Sequence, residues 1–180
     1  MVPLKQHVQG FTLTELLSAI VILGVLTMTG IQVNLQQKNR EEVNALTSSL
    51  AGWLEQVRKS ALLGAGCTAT VNSFISGNAV VASATLTNTS SQINSPTACL
   101  SNNPLRSDDV ASISPQSKFT ISGQQVQFTP RGTVNQTSGS STNLVITRNP
   151  GGPSRCIAIT GLIGHISISK GDECGDQQTF

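Results

Sequence analysis

From Phe11 to Gln37 the chain carries one charge, Glu15, and from Leu16 to Leu26 it is almost purely aliphatic. A bilayer takes about 20 apolar residues to span, so the pattern predicts a helix of membrane length. Lys5 before the run and Lys38 and Arg40 after it bracket the span. The pattern then changes without a break. Val43, Leu46, Leu50, Leu54, Val57 and Ala61 recur at spacings of three and four, with Glu41, Glu42, Glu55, Arg58 and Lys59 between them. That is one face of an amphipathic helix. No proline falls between Phe11 and Leu63. A single helix would be about 80 Å long at 1.5 Å per residue, with Gly24 and Gly30 as candidate flex points. Gly64-Ala65-Gly66 is the expected stop.

Beyond Gly66 the period shortens to two. Thr68–Phe74, Ala79–Leu86, Lys118–Ser122, Gln125–Thr129, Asn143–Arg148, Cys156–Thr160 and His165–Ser169 read as short strands. Ser122-Gly123-Gln124 reads as a hairpin turn. Thr87–Ser117 is polar and carries Pro96, Pro104 and Pro115, which predicts an irregular loop pinned by Cys99. Thr137–Thr142 and Asn149–Ser154 are further turns. The sequence has no internal repeat.

Composition sharpens this picture. At 180 residues the chain accommodates one domain and an appended element. Only 11% of residues are charged and 3% aromatic, which suits a small β-rich extracytoplasmic head better than a cytosolic enzyme. A net charge of +2 does not by itself imply a polyanion partner. All four cysteines, Cys67, Cys99, Cys156 and Cys174, lie beyond the apolar run. An even count in an exported head points to two disulfides. Three connectivities exist; Cys67–Cys99 with Cys156–Cys174 is favoured because each closes a local loop. Zinc is disfavoured: there is no CxxC, and His7 and His165 flank the apolar run on opposite sides. No nucleophile elbow, phosphate-binding glycine loop or carboxylate pair is present, so neither an enzyme nor a cofactor is expected.

Glu15 is the anomaly of the apolar run. A carboxylate in a spanning helix costs about 2.5–3.5 kcal/mol at the bilayer centre, less near its edge, and usually has a partner. Ala-x-Ala is absent behind the run, which argues against ordinary signal-peptide cleavage there. A cut after Gly10 would instead make Phe11 the N-terminus. Its α-amino group would be a cation four residues from Glu15, on the same or a neighbouring subunit.

Gly10-Phe11-Thr12-Leu13-Thr14-Glu15-Leu16-Leu17 resembles the prepilin-peptidase site of type IV pilins and type II secretion pseudopilins. The resemblance implies cleavage after Gly10, N-methylation of Phe11 by the same peptidase, and Glu15 as the carboxylate that guides stacking into a filament. Leu50–Ala61 with Thr68–Val71, Phe128-Thr129-Pro130-Arg131-Gly132 and Arg155–Lys170 resemble segments of the GspH/FimT branch of minor pilins and pseudopilins. Some members of that branch act in DNA uptake through a C-terminal Gly-Arg-x-Arg motif. The matching place here is Gly164-His165-Ile166-Ser167, where both arginines are missing. Arg131, Arg148, Arg155 and Lys170 are the remaining candidates for contact with phosphate, opposed locally by Asp172, Glu173 and Asp176.

Two further features have ordinary readings. Asp172-Glu173-Cys174-Gly175-Asp176 supplies three carboxylates but no EF-hand pattern, and reads as a solvated loop rather than a calcium site. Trp53, between Leu50 and Leu54, is expected to pack beneath the sheet.

The expectation is therefore an α+β, pilin-like fold. Residues 1–10 form a leader, 11–33 the transmembrane and assembly half of the first helix, 34–64 its amphipathic half, and 65–180 a head built on an antiparallel sheet. The expected function is that of a minor pilin or pseudopilin. It would be a single-pass protein of the bacterial inner membrane with its head outside the cytoplasm, later assembled with other pilin subunits through the N-terminal helix. The alternatives are a type II secretion pseudopilin and a DNA-binding receptor of a competence pilus.

Overall fold

The computed structural model describes residues 12–63, 66–87, 98–100, 103–123, 125–135, 142–160, 164–171 and 174, with the side chains of 27–33 and 98 left out. The chain divides into two units, Met1–Lys38 and Asn39–Phe180. Helix α1, Leu13–Ala61, begins in the first and ends in the second.

In the first unit Thr12 caps the helix. Its Oγ1 accepts from the Glu15 backbone N–H at 3.4 Å, and its carbonyl accepts from the N–H groups of Glu15 and Leu16 at 3.1 and 3.2 Å. Thr-x-x-Glu is the spacing of a capping box, and an acid in the first turn suits the helix dipole. Leu13, Leu16, Leu17, Ile20, Val21 and Leu23 are each more than half exposed. This segment is apolar on every side, the pattern of a helix that something else must cover. Among the described residues no helix is long and apolar enough to cross a membrane. The described side chains of the run stop at Leu26, and the expected span, 11–33, extends past both ends of that stretch.

In the second unit the stripe Val43, Leu46, Leu50, Leu54, Val57 and Ala61 is fully buried. Each large aliphatic side chain so placed contributes about 1.5–3 kcal/mol. Arg58 and Lys59 fall in the last turn, where cations suit the carbonyl end of the helix.

The strands form two antiparallel sheets. The first contains β1 (Cys67–Val71), β3 (Val80–Leu86), β4 (Leu105–Arg106) and β6 (Gln125–Phe128), in the order β4-β3-β1-β6. The second contains β2 (Phe74–Ser76), β5 (Lys118–Ser122), β7 (Thr142–Asn149), β8 (Ser154–Thr160) and β9 (His165–Lys170), in the order β2-β5-β7-β8-β9. Both sheets send their buried positions into one core with the helical stripe, including Ala69, Val126 and Phe128 from the first and Phe119, Ile121, Leu144, Ile146, Ile157 and Ile159 from the second.

Three expectations are corrected. The single antiparallel sheet is two sheets. Thr68–Phe74 is not one strand: β1 ends at Val71, and Phe74 already pairs with Thr120 in the second sheet. The intervening Asn72 is still tied to β3, its side-chain amide donating to the Val80 carbonyl at 2.6 Å. Nor is Ser122-Gly123-Gln124 a hairpin turn, because β5 and β6 belong to different sheets. Gly123 has φ +89°, and a Cβ there would fall 2.6 Å from the Asn143 carbonyl oxygen. The glycine permits a close crossing beside β7 rather than a two-strand turn. Within the expected loop Thr87–Ser117 the chain also forms β4, with Leu105 opposite Ala82.

Candidate functional site

Three places carried functional expectations: the N-terminal motif, the cysteines and the cations of the head. Gly10 and Phe11 lie outside the described residues. Glu15 lies in the first turn of α1, and among the described residues it makes no ion pair.

Cys67 is joined to Cys99, and Cys156 to Cys174. The first bridge ties the start of β1 to a short 3-10 turn, Ala98–Leu100. The second ties the middle of β8 to the chain beyond β9. Asp172, Glu173 and Asp176 lie outside the described residues. Among the described residues no group of His, Cys, Asp and Glu is placed to hold a metal.

The four cations do not form one track. Arg131 is exposed in the tight turn between β6 and Val134, where the Gly132 N–H donates to the Thr129 carbonyl at 2.8 Å. The Gly132 carbonyl accepts from Arg58 Nε at 3.1 Å, and Gly164 packs against it so closely that a Cβ would sit 2.7 Å away. The place matching the DNA-uptake motif therefore abuts this turn, with His165 exposed beside it.

Arg148 is committed elsewhere. Its Nε donates to Glu42 Oε2 at 2.8 Å, and the Ser117 hydroxyl donates to the same oxygen at 2.7 Å. Glu42 is fully buried. Burial pushes its carboxyl upward, but the Ser117 hydroxyl, the Arg148 guanidinium and the Ser114 backbone outweigh that and hold it below the ordinary carboxylate value. In the sequence Glu42 falls among the charged positions between the stripe residues. A signal was present: Glu42 lies four residues before Leu46, one helical turn along the buried face.

Arg155 and Lys170 come together. They are partners across β8 and β9. Strand alternation puts Arg155 on the face of Ile157 and Ile159, both fully buried, which directs it toward the helix. Its Nε donates to Asn44 Oδ1 at 2.8 Å. Burial, and then the charge of Arg40, lower its proton affinity from the ordinary arginine value.

Trp53 is buried. Its indole N–H donates to the Asn103 carbonyl at 3.1 Å, and it floors an open groove of about 430 Å³ lined also by Ser49, Gly52, Gln56, Leu105 and Asp109.

The chain carries a prokaryotic N-terminal methylation motif over residues 5–31. This is a type IV pilin-like prepilin signal, and it supports a pilin- or pseudopilin-like structural subunit rather than an enzyme. It implies processing by prepilin peptidase, membrane anchoring, and assembly with other pilin subunits into a filament. No curated protein and no solved structure matches the chain.

Proposed function

We propose that the protein is a minor pilin or pseudopilin of the GspH/FimT type. The observation that carries the reading is the prepilin signal over residues 5–31, placed ahead of a head that buries its own core. In this reading the peptidase removes Met1–Gly10 and methylates Phe11. The apolar helix, exposed on all sides in the isolated chain, exchanges lipid contacts for the helices of other subunits. Glu15, at the first turn, meets the α-amino group of a neighbour, and that pairing replaces the cost of leaving a carboxylate alone in an apolar bundle. A type II secretion pseudopilin fits the same signal. A DNA receptor is the weaker reading, since Arg148 is held by Glu42 and Arg131 lies in the turn after β6 while Arg155 lies on β8.

Glu15→Ala tests the assembly step. The variant should be inserted and cleaved like the parent but be missing from sheared filament or pseudopilus fractions. Incorporation at the parental level would remove the proposed ion pair.

A further inference from the structure

Within the head, α1 and residues 103–109 enclose the open groove of about 430 Å³ that Trp53 floors. Small-molecule sites span about 300–1,000 Å³. Both walls are fixed by the fold. The helical wall is held by its buried stripe, in which Leu50, Leu54 and Val57 are fully buried. The other wall is pinned at three points. Trp53 donates its indole N–H to the Asn103 carbonyl at 3.1 Å, Leu105 pairs with Ala82 of β3, and the Ser107 backbone N–H donates to the Ala79 carbonyl at 3.0 Å.

The polar side chains of the groove are not consumed by these contacts. Among the described residues the side chains of Ser49, Gln56 and Asn103 make no hydrogen bond. Asp109 Oδ2 accepts from the Arg106 backbone N–H at 3.3 Å, and its other oxygen has no partner among the described residues. Arg106 does not neutralise it, because its guanidinium donates to Asp108 Oδ1 at 3.2 Å and to the Asn78 carbonyl at 3.1 Å. The lining therefore offers a carboxylate, two amides and a hydroxyl, and among the described residues that form it there is no cation. Apolar surface from Pro104 and Leu105 lies beside these groups. On the helical wall Gly52 is exposed, with nothing within 4 Å of its missing Cβ. A glycine inside a helix is unfavourable relative to alanine, and here it leaves the wall of the groove bare.

This chemistry selects among ligands. An anion is opposed by Asp109. A cation finds a single carboxylate and no open aromatic face, since Trp53 is only 5% exposed. A neutral molecule rich in hydroxyls fits both kinds of surface. Its O–H groups donate to the carboxylate and the amide carbonyls, its oxygens accept from the amide N–H groups and the Ser49 hydroxyl, and its C–H faces lie on Pro104 and Leu105. We propose that the groove binds a neutral carbohydrate, with Asp109 and Gln56 as partners of its hydroxyls and Gly52 as the residue that keeps the helical wall open. The site belongs to the head alone and does not depend on which filament the chain enters.

Trp53 is the only tryptophan of the chain, so its emission reports on the groove. The full-length protein, in a detergent without a sugar headgroup, would be titrated with galactose, N-acetylglucosamine, lactose and maltose. At least one of them should shift the emission saturably, and the shift should persist in high salt because the ligand carries no charge. Gly52→Leu puts a side chain into the open space of the groove; it should weaken that sugar roughly tenfold or more while its thermal midpoint stays at or above the parent's. Asp109→Asn keeps an acceptor for the Arg106 N–H but loses the charge, and should weaken the sugar roughly tenfold. Gln56→Ala, at an exposed helical position, should weaken it to a smaller extent with the fold intact. No saturable shift with any of the four sugars, from protein whose circular dichroism is that of the folded chain, overturns the proposal. A shift undiminished in Gly52→Leu and Asp109→Asn places the sugar elsewhere and overturns it as well. Saturation by spermidine and by none of the sugars, abolished in high salt, assigns the groove to a cation and overturns the carbohydrate.

Discussion

Arg148 and Glu42, 106 residues apart in the chain, are joined by a hydrogen bond of 2.8 Å that ties β7 to α1 inside the head. Glu42 is fully buried and the Arg148 side chain is 20% exposed. A pair this deep is costly to break from one side, because the remaining charge stays desolvated. Glu42→Ala or Arg148→Ala should destabilise the head by about 3 kcal/mol or more in chemical denaturation. The double variant should cost less than the sum of the two, since neither charge is then left alone.

The same pair gives the head an acid sensitivity with a defined sign. The Glu42 carboxyl is held below its ordinary value in the folded state. It therefore contributes stability that is complete above the unfolded value and lost as pH falls through the folded value. The stability difference between the parent and Glu42→Gln should be constant at neutral pH and shrink on acidification below about 4.5, the ordinary value for glutamate. Denaturation midpoints measured across that range check it; a difference that grew toward acid would contradict the assignment.

Two glycines should respond in opposite directions. Gly123 has φ +89°, and a Cβ would strike the Asn143 backbone oxygen at 2.6 Å. Gly123→Ala should cost about 2 kcal/mol or more, through left-handed strain and a backbone clash that no rotamer relieves. Gly52 lies within α1 with nothing near its missing Cβ. Gly52→Ala should raise stability by about 0.5–1 kcal/mol. Thermal melts of the two variants distinguish the positions.

The disulfides span 32 and 18 residues. Chain entropy gives about 3–4 kcal/mol for closing loops of these lengths. Replacing both members of either pair by Ser should lower the denaturation midpoint by a comparable amount for each. A reduced parent should fall below both variants.

Much of this was legible from the residues. The helical stripe from Val43 to Ala61 reads directly because 3.6-residue periodicity marks one buried face, and all six positions are fully buried. Most strands were legible for the same reason at period two. The division into two sheets was not. Alternation reports which face of a strand is buried, and both sheets bury a face in one core, so β5 and β6 carry the same signature as a hairpin would. β4 was missed because two residues cannot display a period. The Glu42–Arg148 pair was hidden because a charged residue inside a helical pattern is ordinarily solvated, and its partner lies on a distant strand. The grouping of Arg155 with Lys170 follows from the register of β8 and β9, which spacing alone does not specify. The N-terminal motif was the most readable feature of the chain, since its chemistry is contained in six consecutive residues.

The most direct test of the processed, pilin-like subunit is the N-terminus of the mature protein, determined by mass spectrometry after expression in a cell that has prepilin peptidase. The reading expects a chain that begins at N-methylated Phe11, with Met1–Gly10 removed. A mature chain that begins at Met1, or that has been cut behind the apolar run, would contradict it.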